Sequence, residues 1–141
     1  MKFRSMRLLA LTVLVLALLL SACSGGSASG DPLSGTSWML ASIDGSAPIS
    51  GVVATAAFSD GKVSGSSGCN SYGGAYELDG EQIHFSDLVS TLMACTDPQG
   101  VMDQESAFLG GLTDAQSYQL SADKLQILTS DGKTLVFTPA Q

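Results

Sequence analysis

Lys124-Leu-Gln-Ile-Leu-Thr-Ser-Asp-Gly-Lys-Thr-Leu-Val-Phe-Thr138 is the stretch that decides the fold class. Leu125 and Ile127 alternate with polar residues ahead of Asp131-Gly132, and Leu135 and Phe137 alternate behind it. A period of two is the mark of a half-buried strand. Asp-Gly between two such runs is a strong hairpin signal, because a tight primed turn needs φ > 0 at its centre. The same punctuation recurs at Asp44-Gly45, Asp60-Gly61 and Asp79-Gly80. Val52–Ser59 leads into the second pair and Lys62–Ser66 leads out, while Ala75–Leu78 and Glu81–Phe85 bracket the third. Trp38, Leu40 and Ser42 would share one face of a first strand. The chain therefore reads as mainly β, with antiparallel connections.

One segment has a different period. Asp97-Pro98 offers a capping residue followed by proline, whose fixed φ and missing N–H suit the first position of a helix. Val101, Glu105, Phe108 and Leu112 then fall on one stripe, flanked by Met102 and Leu109. This predicts one amphipathic helix from Pro98 to about Leu112, its stripe packed on the sheet, with Asp103 and Glu105 near its positive N-terminal end.

The N-terminus carries an address. Lys2, Arg4 and Arg7 precede an apolar run from Leu8 to Leu20, and small residues follow in Leu20-Ser21-Ala22-Cys23. A run of that length spans about 20 Å as a helix, short of the roughly 30 Å of bilayer hydrocarbon, so the pattern is that of a secretory signal peptide. Leu-Ser-Ala-Cys resembles the lipobox of bacterial lipoproteins, which implies lipid attached to Cys23 and cleavage before it. Residues 1–22 are thus expected to be a lipoprotein signal peptide. Residues 23–33, including Ser-Gly-Gly-Ser-Ala-Ser-Gly, would be the lipidated cysteine and a flexible tether, and residues 34–141 the folded domain. The expected location is the extracytoplasmic face of a bacterial membrane, held by lipid on Cys23. Loss of the leader leaves only Lys62, Lys124 and Lys133 against all 13 acidic residues. So acidic a chain repels nucleic acid, which argues against it as a partner.

Gly61-Lys-Val-Ser-Gly-Ser-Ser-Gly-Cys-Asn-Ser-Tyr-Gly-Gly-Ala-Tyr76 and Ser90-Thr-Leu-Met-Ala-Cys95 carry a resemblance. Together with Thr36-Ser37-Trp38, Phe108-Leu109 and the final hairpin, they are similar to the META domain (HslJ-type) family over about residues 34–139. The resemblance implies a small antiparallel barrel-like twisted sheet with one packed helix. It also implies a bacterial envelope lipoprotein, of a kind sometimes heat-inducible or linked to drug tolerance, with no agreed catalytic mechanism. Gly65, Gly68, Gly73 and Gly74 could in principle cradle a phosphate. With no helix opening behind them and no lysine in place, they read as bulges and bends at barrel corners. Asn70 would hydrogen-bond its own turn.

With Cys23 taken by lipid, Cys69 and Cys95 remain in an oxidising compartment, where thiols normally pair. A bridge would close a loop of roughly 27 residues, worth about 3–4 kcal/mol on the chain-entropy account. Two buried free thiols, or a redox or metal site, are the alternatives. No Cys-x-x-Cys is present, and two cysteines with His84 make an incomplete zinc set. His84 is the sole histidine, and no serine and carboxylate single themselves out as its catalytic partners, although Asp87 is near in sequence. No catalytic residue, metal site or cofactor is expected, and the reading is of a non-enzymatic accessory domain acting through an envelope protein partner. Two other binding readings stay open. One is a small apolar ligand in a barrel mouth lined by Tyr72, Tyr76 and the Met93 region; the other is docking onto or inhibition of an envelope enzyme through the glycine loops.

Overall fold

The structure, a computed structural model, describes residues 30–141. The expected signal peptide, Cys23 and the expected tether as far as residue 29 lie outside them. Eight strands follow one another around a closed antiparallel barrel: β1 (Thr36–Ile43), β2 (Thr55–Ser59), β3 (Lys62–Ser66), β4 (Ser71–Asp79), β5 (Gln82–Ser90), β6 (Ala115–Leu120), β7 (Leu125–Thr129) and β8 (Thr134–Pro139). Among the described residues, the expected β-rich fold with one helix is what forms. The helix, α1 (Val101–Thr113), is inserted between β5 and β6.

The turns explain the meander. Asp60 and Gly61 both take left-handed backbone between the paired Ser59 and Lys62, which is the two-residue hairpin expected of Asp-Gly. Asp44 and Gly45 do the same, but their turn is closed by a single bridge, Ile43 to Ser46, before an irregular stretch. At the third pair Asp79 still belongs to the ladder opposite Gln82, so the loop is Gly80-Glu81 with only glycine at positive φ. The fourth is a longer loop in which Gly132 takes the left-handed position.

β8 pairs with β1 to close the barrel, and one other seam was not legible in the sequence. β6 was not expected from sequence, and β5 meets it through one ladder pair, Gln82 opposite Ser117. The remaining seams carry three or more pairs each, from β3 on β4 to β8 on β1. Inside the barrel, Phe58, Tyr76 and Phe85 form one aromatic group, and Tyr72, Phe108 and Phe137 another, with edge-on contacts at 5.0 and 5.5 Å for Phe58–Tyr76 and Tyr72–Phe108. Leu125, Ile127 and Leu135 are buried with them, as their alternation requires.

Two boundaries move. The helix does not start at Pro98 with Asp97 as its cap. The Asp97-Pro98 bond is cis, Gly100 takes φ 87° immediately before the helix, and left-handed backbone there postpones the first helical residue to Val101. The stripe itself stands, since Val101, Glu105, Phe108 and Leu112 are the buried residues of α1. The folded chain also begins ahead of residue 34. Leu33 is fully buried, and the Asp31 carboxylate accepts the Leu33 and Ser34 N–H groups as well as the Tyr76 hydroxyl.

The strand registers divide the barrel into two ends. Residues 31–35, the turns at 60–61 and 80–81, the 121–124 turn and the C-terminus lie at one. The 67–70 loop, the segment after Ser90 and the 130–133 turn lie at the other. No helix of the described residues is long and apolar enough to cross a membrane.

Candidate functional site

The main polar cluster of the interior is built where β3 turns into β4. Gly65 must be glycine, because a Cβ there would sit 2.2 Å from the Thr55 carbonyl oxygen of β2. The chain then bends through Ser67 and Gly68, the latter at φ 120° with Val52 packed against it. This bend turns the backbone N–H groups of Cys69 and Asn70 inward, toward the helix.

Glu105 arrives there from α1. Its Oε2 accepts hydrogen bonds from the Ser67 hydroxyl (2.7 Å), the Asn70 N–H (2.8 Å) and the Cys69 N–H (3.2 Å). Its Oε1 accepts from the Asn70 side-chain amide at 2.7 Å. The Ser67 hydroxyl also lies 2.9 Å from the Asn70 carbonyl, but it has one proton, and the ionised carboxylate is the stronger acceptor. Burial pushes the Glu105 carboxyl up, yet the bonds from Ser67, Asn70 and Cys69 outweigh it and hold the group below its ordinary range. The glycine-rich loop therefore cradles an anion, as such loops can. The anion is the protein's own carboxylate. Sequence placed Glu105 on the apolar stripe but gave it only a dipole role; a lone acid at a core-facing helix position was the available signal.

Contrary to the expectation of a bond within its own turn, the Asn70 side chain makes its hydrogen bonds outside that turn, because Glu105 and the 91–93 segment pack against it. Its Oδ1 accepts from the Thr91 hydroxyl (2.7 Å) and the Met93 N–H (2.8 Å), and its Nδ2 donates to the Met93 carbonyl (3.0 Å) besides Glu105. All four hydrogen-bonding positions of the amide are used. The structure bonds Cys69 to Cys95, with Cα atoms 5.9 Å apart. Residues 91–95, which have no secondary structure, are thus fastened to the 67–70 loop by a covalent bond and an amide clamp.

The other sequence candidates are scattered. His84 is exposed on β5 opposite Glu77, at the edge of a shallow cleft of about 390 Å³ shared with Gln82 and Gln116. Asp87 is also exposed, in left-handed backbone. Tyr72 and Tyr76 do not line a barrel mouth. Both are core residues, their hydroxyls donate to the Thr55 carbonyl and to Asp31, and burial raises both phenol pKa values. Met93 is exposed. The apolar-ligand reading loses its lining because those side chains fill the space. Among the described residues no group of three or more His, Cys, Asp or Glu is placed to hold a metal ion.

Comparison with known proteins agrees with this architecture. The META domain matches residues 31–141. A protein from Burkholderia xenovorans with an NMR structure is 33% identical, with a TM-score of 0.64 over 77% of this chain and 84% of that one. A second NMR structure, 23% identical with a TM-score of 0.62, covers 76% and 91%. The crystal structure of a duf4847 family protein from Bacteroides vulgatus, 13% identical with a TM-score of 0.58 over 76% and 94%, shares the fold. No curated relative matches. With its barrel, its helix and its Gly-Cys-Asn loop all inside the matched span, the chain belongs to the META domain family.

Proposed function

We propose that this protein is a non-enzymatic accessory domain of the bacterial cell envelope, tethered through lipid on Cys23 and contributing to stress tolerance by binding another envelope protein. The observation that carries the reading is the state of Glu105. The buried carboxylate, the group a reaction would most readily recruit, has four hydrogen bonds from the 67–70 loop and serves as a fastening. The leader and Leu-Ser-Ala-Cys sequence support export and lipidation, and membership of the META family is consistent with an envelope role.

The test is crosslinking in cells that express the full chain, alongside a Cys23→Ala version. One envelope protein recovered in stoichiometric amount, and only with the anchor intact, is the expected result. Turnover by the purified protein that a single polar substitution abolishes would overturn the reading.

A further inference from the structure

The two fastenings on residues 91–95 hold out something specific. Val89, Leu92 and Met93 are 71%, 96% and 59% exposed, although the backbone that carries them is pinned. Met93 is gripped through both its N–H and its carbonyl by Asn70, the Thr91 N–H donates to the Ser71 carbonyl, and Cys95 is bonded to Cys69. A fully exposed leucine on a mobile loop is unremarkable. On a segment rigid before any encounter, the same side chain is a preorganised contact that loses little entropy on binding.

Charge and chain path identify what would cover it. No lysine or arginine occurs between Lys62 and Lys124, while Asp87, Asp97 and Asp103 flank the apolar side chains in sequence. A second copy would bring acid to acid. The segment lies at the barrel end opposite Asp31. We propose that Val89, Leu92 and Met93 form the docking surface of this domain, and that the occupant is a protein presenting an apolar socket bordered by lysine or arginine. The inference rests on the accessory reading above and names its contact face.

A photo-crosslinking residue placed at Leu92 of the full, lipidated chain in cells tests it, with the same residue at Leu120, at the other end of the barrel, for comparison. The expected result is one protein adduct from Leu92 and none from Leu120, at a site whose neighbours are apolar and basic. A Met93→Asp substitution added to the Leu92 probe should lower the yield at least about tenfold, as loss of a central contact does. Asp87→Asn, which removes the charge but keeps a residue suited to the left-handed backbone there, should lower it as well, with thermal melting unchanged in both. A lipid adduct, a self-adduct or a yield indifferent to these substitutions overturns the proposal. A protein adduct from Leu120 alone would sink this surface and leave the accessory reading standing; no protein adduct from either position would count against both.

Discussion

Glu105 shows how one side chain organises its surroundings. Replacing it with glutamine keeps the size but turns an amide N–H₂ or a weaker acceptor toward the Cys69 and Asn70 N–H groups. The expected loss is about 3 kcal/mol, from weakened charge-assisted bonds and unsatisfied buried donors; urea denaturation of the two proteins measures it. The pH dependence has a definite sign. Because the folded carboxyl is held below its ordinary value of 4.5, it stabilises the fold above that value, and the contribution fades as pH falls through the lower, folded value. Wild type and Glu105→Gln should therefore converge in stability as solutions are acidified below about pH 4.5. A gap that stayed constant down to full protonation would show that the carboxylate is not the source. Asn70→Ala should cost about 1–3 kcal/mol, by orphaning the Met93 N–H and a Glu105 oxygen.

At the level of elements, the turns and the stripe of α1 were readable because each rests on local chemistry. Asp-Gly supplies left-handed backbone cheaply, and a 3.6-residue apolar repeat has one way to bury itself. The start of α1 was misread, since Asp97-Pro98 satisfies the local rule while Gly100 decides the matter three residues on. The anion cradle was hidden because its two halves, the 67–70 loop and Glu105, are distant in sequence. Gly65→Ala tests the corner it depends on. The Thr55 carbonyl accepts the Tyr72 hydroxyl and its residue pairs with Met39 of β1, so it cannot retreat freely; overpacking should cost roughly 1–3 kcal/mol, visible as a lower melting temperature. Removing the disulfide as Cys69→Ser with Cys95→Ser should cost about 3–4 kcal/mol on the chain-entropy account. Hydrogen exchange should then rise most at residues 94–96, with the Met93 N–H still partly protected by Asn70.

For the molecule as a whole, the period-two pattern predicted strands with antiparallel connections and the family resemblance a barrel-like sheet, while the seam between β5 and β6 was not legible. One ladder pair joins β5 to β6, and a seam so short leaves no periodic trace in Ala115–Leu120. The exposed apolar side chains belong to this scale as well, because nothing in the barrel depends on them. Leu92→Ser should change the stability of the folded domain by less than about 0.5 kcal/mol, as expected of a surface position; a calorimetric melt decides it. A large loss would mean that Leu92 packs into the fold. Leu33 is the opposite case, buried at the other end of the barrel, and Leu33→Ala should cost about 2–5 kcal/mol.

Asp31 leads into β1, the strand held on one side by β2 and on the other by β8, and its carboxylate ties that entrance to Tyr76. Tension drawn through the N-terminus toward a load gripped at residues 89–93 would run lengthwise along β1. Its ladder bonds would then be strained together in shear, where peeling would take them singly. The paired ladders on both sides of β1 thus set the fold to resist a lengthwise pull on its first strand collectively.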